Sequence, residues 1–161
     1  HQAIRIQREK GFAFVRFNSH DSAARAIAYL NGTGLPKDEK RGAELFKSTC
    51  DRGDLEACGA LGLVYLNGLG LPRDEARGIA MLKRACDGGE GPGCRNLGAA
   101  YYTGRAVPKD EARAVSLLQR ACDLSGTVAC GQLGELALSG RVGARDPQRA
   151  AELFQRACSG G

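Results

Sequence analysis

Seven cysteines carry the most reactive side chains of this 161-residue chain, and their spacing is regular. Cys50, Cys86, Cys122 and Cys158 follow one another at intervals of 36 residues, and Cys58, Cys94 and Cys130 repeat the same interval. Each cysteine of the second set stands eight residues after one of the first. Thiols in such a pattern could form disulfides, hold a metal or remain as small apolar core residues. Metal ligation has little to draw on: the only histidines are His1 and His20, and no two cysteines are closely spaced. The same two histidines leave no Ser-His-Asp or Cys-His constellation, so no catalytic residue and no metal ligand is expected.

The elements that must position these cysteines share their rhythm. Gly32, Gly68, Gly104 and Gly140 keep the 36-residue step, as do Asp38, Asp74, Asp110 and Asp146. So do the segments Lys83-Arg84-Ala85-Cys86, Gln119-Arg120-Ala121-Cys122 and Gln155-Arg156-Ala157-Cys158. A period in this range marks a repeat architecture whose unit is one supersecondary element. Within a unit, Ala57, Leu61, Val64 and Tyr65 follow helical spacing from Leu55 to Asn67, and Gly68 can close that helix in the left-handed conformation. After the loop Leu69-Gly70-Leu71-Pro72-Arg73, Asp74 suits the N-cap of a second helix that runs to about Cys86. In the last unit Asp146 is followed by Pro147, which is favoured at a first helical position, and Ala150, Leu153, Phe154 and Ala157 share one face. One such hairpin cannot bury its apolar side alone, so neighbours must stack around a continuous core. Gly62, Gly98 and Gly134 inside the first helix of each unit weaken it by roughly 1 kcal/mol each and make sense where helices approach closely.

The pattern Leu61-Gly62, Tyr65, Gly68, repeated as Leu97-Gly98, Tyr101, Gly104 and followed by Asp and an Ala-rich helix, resembles the Sel-like repeat, a relative of the tetratricopeptide repeat. The resemblance spans residues 15–158, and the cysteine positions are similar to those of the secreted, cysteine-rich bacterial branch. It implies an all-α solenoid of stacked helix-turn-helix units, here 51–86, 87–122 and 123–158, with an incomplete unit at 21–50. Eight residues from the end of one helix, through a turn, to the start of the next would bring the sulfurs together as Cys50–Cys58, Cys86–Cys94 and Cys122–Cys130. Cys158 is then left unpaired, its partner expected beyond the chain. Equivalent cysteines of successive units stand too far apart, because stacked helices lie about 8–10 Å from one another. Buried free thiols remain the alternative. Some cysteine-rich relatives are linked with penicillin binding or β-lactamase activity, yet no serine here has Lys three residues on.

Residues 1–34 follow another pattern. Lys10-Gly11-Phe12-Ala13-Phe14-Val15-Arg16-Phe17 fits every position of the eight-residue signature of the RNA-recognition motif. With the helix-like stretch to Ile27, it is similar to the third motif of T-cell intracellular antigen type RNA-binding proteins. That resemblance implies a strand in which Ala13, Val15 and Phe17 face a core, while Phe12 and Phe14 offer stacking platforms to bases and Lys10 sits near phosphate. Only half of such a motif is present, and an isolated hairpin is marginal in water. Tyr29-Leu30-Asn31-Gly32 also repeats Tyr65-Leu66-Asn67-Gly68. Residues 21–31 are therefore expected to serve as the first helix of unit 21–50, with Ser22 where Cys58, Cys94 and Cys130 stand, and residues 1–20 to form a β-hairpin cap. A chimera of a nuclear or cytoplasmic fragment and a secreted one is the simplest account of this junction.

Charge and hydropathy narrow the rest. The net charge of +5 sits mainly at the front, where residues 1–34 hold five Lys/Arg against two Asp/Glu. No apolar run reaches the length of a membrane span. The chain opens at His1 without Met or a signal-like stretch, so a longer parent chain is expected. The expected function is a non-catalytic scaffold for a protein or peptide in a concave groove, without cofactor or membrane. Weak RNA binding through Lys10, Phe12 and Phe14 is the alternative, and β-lactam binding a third. Paired cysteines place the repeats in a secreted or periplasmic setting.

Overall fold

A computed structural model describes residues 19–125 and 127–159, and every regular element among them is an α-helix. In chain order these are α1 (Ser19–Asn31), α2 (Glu39–Asp51), α3 (Leu55–Asn67), α4 (Glu75–Asp87), α5 (Gly91–Thr103), α6 (Glu111–Ser125), α7 (Thr127–Ser139) and α8 (Pro147–Ser159). Odd and even helices pair as antiparallel hairpins, and each hairpin leans on the next through α2–α3, α4–α5 and α6–α7. The expected hairpin strand lies outside the described residues apart from Ser19 and His20, which belong to α1. Helix therefore begins two residues before the expected boundary at 21.

The four aspartates set the angle between the two helices of each hairpin. The carboxylates of Asp38, Asp74, Asp110 and Asp146 accept the backbone N–H of Arg41, Arg77, Arg113 and Arg149 at 2.9–3.0 Å. Their own N–H groups donate to the carbonyls of Tyr29, Tyr65, Tyr101 and Ala137 at 2.9–3.0 Å. One residue thus caps the second helix and fastens it to the end of the first, satisfying groups that a helix end leaves open. Close approach does the rest. A Cβ on Gly62 would lie 2.8 Å from Leu82 Cγ and 3.0 Å from the Gly78 carbonyl, and one on Gly78 would lie 3.0 Å from the Gly62 carbonyl. α3 and α4 therefore cross backbone to backbone at a pair of glycines.

The core runs along the stack as two adjoining clusters. Ala23, Ala26, Ala43, Phe46, Leu61, Val64 and Tyr65 fill the first, and Leu66, Leu82, Leu97, Leu118, Leu133 and Leu153 lie in the second. Outside them, exposed arginines link successive hairpins: Arg120 donates to the Asp87 carbonyl at 3.3 Å, and Arg156 pairs with Asp123 at 2.8 Å. Solvent-exposed pairs of this kind contribute well under about 1 kcal/mol each, so burial carries the stacking.

Candidate interaction surface

The cysteines sit where one hairpin meets the next. Cα atoms of Cys50 and Cys58 are 4.6 Å apart, those of Cys86 and Cys94 4.4 Å, and those of Cys122 and Cys130 4.7 Å, with sulfurs at bonding distance in each pair. The links Arg52-Gly53-Asp54 and Gly88-Gly89-Glu90 turn back sharply enough to lay the last turn of one helix against the first turn of the next. All six are buried, whereas Cys158 is exposed at the end of α8. Ser22 is buried on α1 at the position that Cys58 takes on α3. Among the described residues no group of three or more His, Cys, Asp or Glu is placed to hold a metal ion.

Each of the first three hairpins places an arginine of its even-numbered helix over a tyrosine of its odd-numbered helix. The Arg41 guanidinium lies 5.0 Å from the centre of the Tyr29 ring, Arg77 5.9 Å from Tyr65, and Arg113 5.0 Å from Tyr101. The fourth hairpin has Ala137 in place of the tyrosine, so Arg149 has no ring to cover there. These contacts repeat at the period of the chain. Ile27 and Leu63 occupy one repeat position and stay 45% and 38% exposed. Further along the stack that position holds Ala99 and then Glu135. There α5, α6 and α7 enclose a pocket of about 390 Å³ lined by Ala99, Tyr102, Leu118, Gln132, Glu135, Leu136, Ser139 and Arg141.

Glu90 is a second feature that cysteine spacing does not point to. It caps α5 by accepting from the Gly93 N–H, wedged where a Cβ on Gly59 would lie 3.0 Å from its oxygen. Burial raises the pKa of its carboxyl above the ordinary 4.5; the Gly93 N–H opposes that, Glu56 adds to it and Arg95 offsets part. Its signal in the sequence is the register: Glu90 stands 36 residues after Asp54, which caps α3 in the same way. The pocket residues carry no such signal, because they differ from hairpin to hairpin. Lys10, Phe12 and Phe14 lie outside the described residues.

Residues 55–90, 91–126 and 127–161 each match the Sel1 repeat, and the chain belongs to the Sel1 repeat family. These bounds open on the first residues of α3, α5 and α7, four residues later than the units 51–86, 87–122 and 123–158 that the cysteine spacing alone suggests. Residues 2–39 match the RNA recognition motif, so α1 belongs to that match and to the helical stack at once. The structure is similar to a Sel1 repeat protein of Oxalobacter formigenes, with a TM-score of 0.78 and 26% identity, over 89% of this chain and 59% of that one. It is also similar to a protective antigen of uropathogenic Escherichia coli strains that displays an SLR fold. There the TM-score is 0.69 and the identity 24%, over 88% of this chain and 30% of that one. Cysteine rich protein B of Helicobacter pylori aligns with a TM-score of 0.57 and 23% identity, over 73% of this chain and 98% of that protein. The chain thus spans little more than half of the first of these proteins and under a third of the second.

Proposed function

We propose that this chain is a non-catalytic scaffold that binds a protein or peptide along its odd-numbered helices, in a secreted or periplasmic setting. The observation that carries it is the row of repeat-equivalent surface positions on those helices, where Ile27 and Leu63 stay exposed although a core lies beneath them. Stacked helical pairs create extended surfaces without adding chemistry, and three cross-linked junctions would hold that surface rigid, which lowers the entropy lost on binding. Three cysteine pairs at bonding distance suit an oxidising compartment. A pull-down with immobilised, oxidised protein, repeated with Ile27→Glu and Leu63→Glu together, tests the reading. Partners retained equally by the variant would remove the support.

Residues 21–50 act in this proposal as the first repeat unit, with residues 1–20 as its cap. On the outer face of α1 and α2, Tyr29, Arg41, Glu44, Leu45 and Ser48 border a pocket of about 350 Å³. In the next hairpin the position of Leu45 is taken by Met81, whose sulfur lies 3.9 Å from that of Cys50 in the hairpin before it. Leu45 thus presents a stacking face to whatever precedes it. Deleting residues 1–17 should lower the melting temperature, and an unchanged melt would end the capping idea.

RNA binding is a second reading, favoured by the match of residues 2–39 to the RNA recognition motif. Phe12 and Phe14 would stack bases and Lys10 would meet phosphate. Base stacking on an aromatic side chain contributes about 1–3 kcal/mol per base, so Phe12→Ala with Phe14→Ala should abolish salt-sensitive binding of a U-rich oligonucleotide. Unchanged affinity would remove this reading.

A further inference from the structure

The pocket between α5, α6 and α7 lies where one repeat position lost bulk, Ala99 for Leu63, and another gained a charge, Glu135 for Ala99. One hairpin earlier the equivalent place, between α3 and α5, holds Leu63 and the buried Leu66 over the buried Leu82. Its edge is closed by Arg105, which donates to the Leu66 carbonyl at 2.9 Å and to the Asn67 side-chain oxygen at 2.8 Å. In the next step Ala99 replaces Leu63, Tyr102 replaces Leu66, and Thr103 replaces Asn67 with its hydroxyl donating to its own helix at the Ala99 carbonyl, 2.8 Å away. Arg141, the counterpart of Arg105, therefore has no equivalent side-chain acceptor and stands at the mouth of the opening. Glu135 stands there too, and among the described residues neither side chain forms an ion pair. The wall includes Gln132, whose Oε1 is buried without a hydrogen-bond partner. A buried acceptor without a partner destabilises the fold, and a turn of the amide toward the opening lets an incoming donor relieve it.

We propose that this pocket is a specificity site for an extended peptide segment that inserts one bulky apolar side chain and carries a basic and an acidic residue on its two sides. The volume of about 390 Å³ falls in the range of ligand sites and admits an aromatic side chain over the apolar floor of Ala99 and Leu136. The Gln132 amide offers a donor and an acceptor, the pair that a peptide backbone needs. The flanking charges meet Glu135 and Arg141. The proposal rests on the scaffold reading and narrows it to one place and one class of sequence.

Selection of a displayed random heptapeptide library against the full, oxidised chain tests it. Enriched peptides should share a Phe, Tyr, Trp or Leu with Lys or Arg on one side and Asp or Glu on the other. Ala99→Leu restores the residue of the preceding hairpin, so it should melt like the parent and yet weaken these peptides about tenfold or more, as blocking a central contact does. The double variant Glu135→Lys with Arg141→Glu should reverse the order of the flanking charges in a fresh selection. Peptides whose affinity survives Ala99→Leu bind elsewhere: they overturn this site and leave the scaffold reading standing. A library that enriches no sequence overturns this site, while the scaffold reading falls only with the pull-down.

Discussion

At the scale of single residues, Glu90 and Gly70 show how position in the repeat assigns different work to similar side chains. Asp54 and Glu90 both cap a helix, but the longer Glu90 reaches between Gly59 and Gly93, where burial holds its carboxyl pKa above the ordinary 4.5. A carboxyl raised in the folded state stabilises it fully below its ordinary pKa, and that stability is lost as pH rises through the folded value. Glu90→Gln keeps an acceptor for the Gly93 N–H and has no charge. In paired thermal melts it should match the parent below the ordinary carboxyl pKa of 4.5 and gain on it as pH rises above that; a gap that fails to change with pH would refute this assignment. Gly70 has φ of +72°, and a Cβ there would overlap the Glu39 carbonyl; Gly53, at +97°, faces open space. Gly53→Ala should cost about 1–2 kcal/mol of backbone strain, and Gly70→Ala roughly 3 kcal/mol or more, by urea denaturation. The glycine period is plain in the sequence, whereas the contact that separates these two positions is not.

At the scale of the element, the helix ends were the most legible feature. Gly68 closes α3 at φ +69°, Asp74 opens α4, and Pro147 begins α8, all from local backbone chemistry that neighbouring residues dictate. Asp74→Ala should lower stability by about 1 kcal/mol and Asp74→Asn by much less, because asparagine caps nearly as well. Equal losses in the two variants would show that Asp74 acts through charge and not through its bond to the Arg77 N–H. The even-numbered helices are amphipathic and could be read from periodicity. Of the odd-numbered helices, α3 and α7 read as largely apolar or small, so which of their residues remain at the surface depended on the stack. Ile27 and Leu63, both large and apolar, lie 45% and 38% exposed.

For the whole molecule, the cysteine pairs join hairpins to one another. Each closes a short loop, for which the chain-entropy model gives roughly 2–3 kcal/mol of stabilisation of the stack. Thiol titration of the unfolded, unreduced protein should count one reactive group, Cys158, and reduction should raise the count to seven. Seven before reduction would leave the stack held by burial alone. Reduction should also lower the urea midpoint in proportion to the junctions opened, since a repeat stack is stabilised by nearest-neighbour terms.

Period, helix ends and hairpin count are local properties, repeated in register every 36 residues, and the amino-acid sequence determined them by itself. Sequence identified the family pattern for the same reason. Where two hairpins fail to close over Ala99, how Glu90 becomes half-buried, and which apolar residues stay outside arise between units, from side chains far apart in the chain whose bulk must match across an interface. Only the tertiary structure decided those, because leucine at 63 and alanine at 99 obey the same helical rule, and what their difference in bulk does depends on what the next helix leaves above them.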